Sequence, residues 1–148
     1  MTMTTTATEQ ANTDIVRAFI ESFWNGRDSD SLHRFLTPDY VDHAYVPHTA
    51  DGLKKTAGDL STALPDHRSA IEDVVAQGDK VVARMVLRGT HDGPFRGAPP
   101  TGNPVAVNVY RMYRLAGGKI AEHWALLDTA TLLRQIAAQP SPENACKR

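Results

Sequence analysis

Cysteine is almost absent from this chain: Cys146 is the only one in 148 residues, and it lies in a polar tail. One thiol cannot close an internal disulfide, so the fold needs no oxidation and suits a reducing, cytoplasmic setting. A cysteine-based zinc site is excluded for the same reason. Charge of one sign is also missing. A net charge of −1 with scattered signs leaves no basic stripe for nucleic acid and no polybasic segment for an anionic membrane. No run approaches the roughly 20 apolar residues that cross a bilayer. The Thr-rich opening, Met1 to Gln10, has neither a basic flank nor an apolar centre and does not read as a signal peptide. GxGxxG, P-loop and GxSxG signatures are missing, so nucleotide chemistry and serine hydrolysis have no support. The six histidines offer no HxH or HxxxH spacing, and neither metal nor other cofactor is expected.

What is present organises into a single domain, long enough to bury roughly 70% of its unfolded surface without staples. Residues 1–12 read as a disordered N-terminal segment, 13–139 as the domain and 140–148 as a flexible tail. Ile15, Val16, Phe19, Ile20 and Phe23 recur at helical spacing behind a cap at Asn12 or Thr13, until Asn25-Gly26 stops the helix. A short helix carries Leu32, Phe35 and Leu36, and Pro38 breaks it. Tyr40 to Tyr45 reads as briefly extended, and Gly52 to Leu64 as a third helix.

The period then changes to that of strands: Ser69–Gln77, Lys80–Gly89 after a Gly78-Asp79 turn, Val105–Leu115, and a last strand after Gly117-Gly118. Thr129–Gln139 closes the domain as a helix. Helices first and a strand meander second predict an α+β fold. It is a curved antiparallel sheet, packed with the N-terminal helices into a cone-shaped barrel with an internal pocket.

The segment Gly118–Asp128, GKIAEHWALLD, is the most informative. An acid ending an apolar strand would be poorly hydrated if it faced a pocket, and burial raises a carboxyl pKa towards proton-transfer range. The competing role is plain, because Asp128 precedes Thr129-Ala130-Thr131 and can N-cap the last helix. Strict alternation puts Trp124 on the face of Asp128 and His123 on the other; a bulge would reverse this.

The order of motifs resembles the SnoaL-like polyketide cyclases, within the nuclear transport factor 2-like superfamily. The matching pieces are Tyr40-Val41-Asp42-His43, Leu64-Pro65-Asp66, the loop Gly89 to Gly97 leading to Pro100-Thr101-Gly102, and Gly118 to Trp124 with Asp128. The resemblance implies a cone with a pocket and a cofactor-free, intramolecular aldol-type ring closure on a hydrophobic aromatic carbonyl substrate. It implies Asp128 as principal acid/base and His43 as its companion. The family histidine on the penultimate strand has no counterpart in Val105–Leu115, which offers Asn108, Tyr110 and Arg111 instead. Trp124, Trp24, Tyr45, His91, Asn108, Tyr110 and Met112 are the candidate substrate-binding residues. On family analogy a homo-oligomer, dimer or tetramer, is expected, with a small hydrophobic substrate as the other partner. Another enzyme on the same cone (an isomerase or hydrolase) and a non-catalytic binder of a hydrophobic ligand remain the alternatives.

Overall fold

A computed structural model describes residues 6–138. In chain order the elements begin with α1 (Ala7–Phe19), continued by a wider π-type turn at Ile20–Asn25. A 3-10 turn at Ser29–Ser31 leads into α2 (Leu32–Phe35), β1 (Leu36–Asp42) and α3 (Ala50–Ala63). Then come β2 (Arg68–Gln77), β3 (Lys80–Thr90), β4 (Pro104–Ala116), β5 (Lys119–Leu127) and α4 (Thr129–Ala137). The α+β order is the one the sequence suggests.

The first helix starts earlier than expected. Thr6 and Glu9 form a capping box, the Glu9 amide donating to Thr6 Oγ1 at 3.0 Å and the Thr6 amide to Glu9 Oε1 at 2.8 Å. Glu9 Oε2 also accepts from the Gly78 amide at 2.7 Å, tying the helix start to the β2–β3 hairpin. Residues 7–12, read as part of a loose segment, are therefore helical. Residues 1–5 and 139–148, with Cys146 and the expected tail, lie outside the described residues.

The five strands form one sheet in the order β1-β5-β4-β3-β2. The β1–β5 pair is parallel and the others are antiparallel. Pro38 sits inside β1, which it can do because an edge strand need not donate on its outer side. Among the described residues the strands do not close into a barrel: β1 and β2 are the sheet's edges, and the cup is completed by helices. Helix α1 packs on β2 and β3, α3 on β1, and α4 on β4.

Strand β4 fixes which face is inside. Val105, Val107, Val109, Arg111, Tyr113 and Leu115 are buried, whereas Ala106, Asn108 and Tyr110 are exposed. Strand β5 departs from this rule at one place. Leu115 pairs with Ile120 and Arg114 with Glu122, so Ala121 is an extra residue. Both Ile120 and Ala121 are buried. Beyond this bulge His123, Ala125 and Leu127 share the inner face, and Glu122, Trp124 and Leu126 the outer one.

Candidate active site

On the inner face, the parallel register of β1 and β5 sets Asp42 beside His123. Both side chains are fully buried. The Asp42 carboxylate collects four donors. Tyr40 O–H and His123 Nδ1–H reach Oδ2 at 2.7 and 3.1 Å, and the amides of Ala44 and Tyr45 reach Oδ1 at 2.9 and 3.1 Å. Burial alone would push this carboxyl up; the bonds from His123, Tyr40 and Ala44 outweigh it and hold it below the ordinary value.

His123 links this carboxylate to a cation. Arg111 Nη1 donates to His123 Nε2 at 3.2 Å and to Tyr45 Oη at 3.0 Å. With a donor on Nε2 and an acceptor on Nδ1, only the neutral Nδ1–H tautomer satisfies both neighbours. Burial pushes the imidazole down to about 4, with the Arg111 cation adding to the effect against the pull of Asp42. Arg111 keeps its proton: burial opposes the charge, but the oxygens of Tyr45 and Tyr113 and the Asp42 carboxylate outweigh it. Its guanidinium lies 3.8 Å above the centre of the Trp24 ring, a cation–π contact. The Tyr113 ring stacks on His123 with ring centres 4.9 Å apart.

This chain of groups surfaces in a pocket of about 680 Å³, within the ~300–1,000 Å³ typical of small-molecule sites. Arg111 and Tyr45 contribute polar atoms to an otherwise largely apolar wall that includes Trp24, Leu60, Phe95, Leu127 and Leu132. Two further hollows of about 540 and 530 Å³ are more open and contain no buried charge. Among the described residues, no group of three or more His, Cys, Asp or Glu could hold a metal ion. No helix among them is long and apolar enough to cross a membrane.

A family model for SnoaL-like polyketide cyclases matches residues 14–136. The chain belongs to that family. It is similar to the nogalonic acid methyl ester cyclase of Streptomyces nogalater, 28% identical over 84% of this chain and 96% of the relative. It is also similar to the aklanonic acid methyl ester cyclase of Streptomyces peucetius, 27% identical over 88% and 94%. Among solved structures, a SnoaL-like protein from Jannaschia sp. CCS1 superposes with a TM-score of 0.84 at 25% identity, covering 94% of this chain and 100% of that one. IdmH of Streptomyces antibioticus gives 0.75 at 32% identity, covering 86% and 99%.

Within this SnoaL-like fold the sequence-predicted residues separate into two groups. Trp24 and Tyr45 line the pocket. Asp128 does not: it is exposed and caps α4, accepting from the Thr131 amide at 3.2 Å and from Thr131 Oγ1 at 2.7 Å. Those bonds lower its pKa, the opposite of the shift a buried acid/base needs. The capping role therefore wins, because the bulge at Ala121 turns His123 rather than Trp124 inward.

His43 and Trp124 stack on each other outside the sheet, ring centres 4.8 Å apart. His43 Nε2 is 2.9 Å from Glu122 Oε1. Asn108, Tyr110 and Met112 share that outer face. His91 is buried and lines none of these three hollows. Its Nδ1 contacts Thr101 Oγ1 at 2.9 Å, and its carbonyl accepts from the amides of Thr101 and Gly102, so it organises the β3–β4 loop.

The residues that do converge, Asp42, His123 and Arg111, were not among the candidates. One signal was available: Arg111 is a lone charge in the buried row Val105, Val107, Val109, Tyr113, Leu115.

Proposed function

We propose that this protein is an acid/base ring-closing enzyme acting on a hydrophobic aromatic polyketide carbonyl compound, with Arg111 and Tyr45 on the pocket wall and His123 buried directly behind Arg111. The observation that carries this reading is the buried series Asp42–His123–Arg111, continued by the half-buried Tyr45, opening into a largely apolar cavity. The activity named for its relatives, ring closure of nogalonic and aklanonic acid methyl esters, supports the same reaction class.

In an intramolecular aldol closure a proton leaves the carbon next to a carbonyl, and the resulting enolate carbon attacks a second carbonyl. Arg111 Nη1 moves its hydrogen bond from His123 to the carbonyl oxygen and stabilises the enolate; the same displacement uncovers the buried His123 Nε2, which takes the proton. Asp42 then faces an imidazolium and steadies it, as a buried carboxylate does for a catalytic histidine. Tyr45 accepts from Arg111, so its own O–H is available to the attacked carbonyl. The new alkoxide takes the proton back from His123, and the enzyme ends as it began. No cofactor is needed for this sequence. The apolar wall contributes by folding the substrate so its ends meet.

The same reading extends to a cytoplasmic homo-oligomer, for which the exposed apolar side chains Val75, Tyr110 and Leu126 give contact surface. The test is product analysis: nogalonic acid, offered as methyl ester and as free acid, is incubated with wild type and with His123→Gln. Ring-closed product from the wild type and a loss of at least about 100-fold in the variant are expected. Equal rates in the two proteins refute the assignment.

A further inference from the structure

Arg111 has more hydrogen-bonding capacity than the site's own network uses. Nη1 serves Tyr45 and His123, whereas Nε and Nη2 have no partner among the described residues. The side chain lines the pocket although only 6% of the residue is exposed. Nor does any carboxylate make an ion pair with it among the described residues. Asp42 stands behind the imidazole, bonded to Nδ1 while Arg111 holds Nε2.

The rest of the wall does not supply the missing anion. Its other charged residues are Asp59 and Arg96. Asp59 is exposed and paired with Lys55 at 3.0 Å; Arg96 adds a second positive charge. The Trp24 ring lies against the guanidinium, its centre 3.8 Å from the central carbon, and restrains that group. A buried cation is costly without an anion against it. The vacant Nε–Nη2 edge is a two-donor fork whose spacing matches the two oxygens of a carboxylate.

We infer that the substrate bears a free carboxylate and that the Nε–Nη2 edge of Arg111 clamps it at two points. This rests on the pocket being the substrate site of the reading above, and it departs from the relatives named for methyl esters. An ester has no charge to offset the guanidinium. The clamp and the catalytic contact use different atoms of one side chain: Nη1 remains with Tyr45 and the reacting oxygen while the other edge holds the acid.

The experiment compares anthraquinone-2-carboxylate with its methyl ester, binding to wild type at pH 7.5 by calorimetry. The acid is expected to bind about 10- to 100-fold more tightly, the difference that charge-assisted hydrogen bonds make. Equal affinities, or tighter binding of the ester, overturn the inference without any variant. Arg111→Met is expected to remove the preference, weakening the acid at least about tenfold more than the ester. Arg111→Lys, a point charge without the fork, is expected to fall between the two. A preference that survives Arg111→Met also overturns it. Acid preference without ring closure leaves the carboxylate site standing and defeats the cyclase reading. Ring closure of the ester without acid preference does the reverse.

Discussion

Asp42→Asn is the perturbation whose consequence can be worked furthest from the geometry. The asparagine oxygen can keep the bonds from the Ala44 and Tyr45 amides. Its amide nitrogen then replaces Oδ2, where two donors arrive, Tyr40 O–H and His123 Nδ1–H. Donor meets donor twice. His123 can relieve one conflict by moving its proton to Nε2, but that nitrogen already accepts from Arg111, so the conflict passes along the network. Two hydrogen bonds to a buried charge are lost, at about 1.5–3 kcal/mol each, giving roughly 3–6 kcal/mol. For a domain of this size that is a fall in Tm on the order of 10–20 °C. The folded-state pKa of Asp42 is lowered. Its contribution is therefore fully present above the ordinary carboxylate range and is lost as pH falls through the depressed folded value. The deficit should hence be constant between about pH 6.5 and 8. Urea denaturation of both proteins across that range measures it, and ¹⁵N spectra of His123 report the tautomer. A loss below about 1 kcal/mol, with the Nδ1–H tautomer unchanged, refutes the reasoning.

Other consequences follow from neighbouring features. His67 and His123 are both pushed down to about 4, chiefly by burial. Between about pH 6.5 and 4 the unfolded chain binds their protons more readily, so stability falls with pH by about 1.4 kcal/mol per unit for each. His67→Gln should halve the slope seen in denaturation at stepped pH, and an unchanged slope contradicts the assignment. Asn103 Nδ2 reaches the carbonyls of Gln135, Ile136 and Ala138 at 3.1, 3.2 and 2.9 Å, closing the end of α4. Asn103→Ala should cost about 1–2 kcal/mol and raise KM, because α4 carries Leu132 over the pocket; an unchanged KM speaks against that. Gly93 leaves no room for a methyl group, since a Cβ there would lie 1.8 Å from the Thr62 carbonyl oxygen. Gly93→Ala should therefore push the loop bearing Phe95 away from α3 and weaken ligand binding, and unaltered affinity refutes this.

Most of the scaffold could be read from local signals. Period-two alternation located β2 to β5, and the Gly78 and Gly117-Gly118 turns located their hairpins, where both Gly78 and Gly117 have positive φ. The start of α1 is set by the Thr6–Glu9 capping box, a polar signal that lies ahead of the apolar period of Ile15, Val16 and Phe19. The site itself was legible only in part. The Asp42-His43 pair stands next to the buried network, but which of the two faces inward depends on parallel pairing with β5, a contact between residues far apart in sequence. The inward turn of His123 depends on one extra residue at Ala121, which alternation cannot reveal. Trp24 and Tyr45 were found by position, because an aromatic near a helix end or after an edge strand needs no register to reach the cavity.

The central claim is that acid/base chemistry resides at His123, backed by Asp42, and not at the end of β5. Initial rates of ring closure by wild type, Asp128→Asn and His123→Gln, on the same substrate and with folding checked by circular dichroism, test it directly. The account predicts a rate for Asp128→Asn within about threefold of wild type and a fall of at least about 100-fold for His123→Gln. A collapse of activity in Asp128→Asn with His123→Gln left active would contradict it.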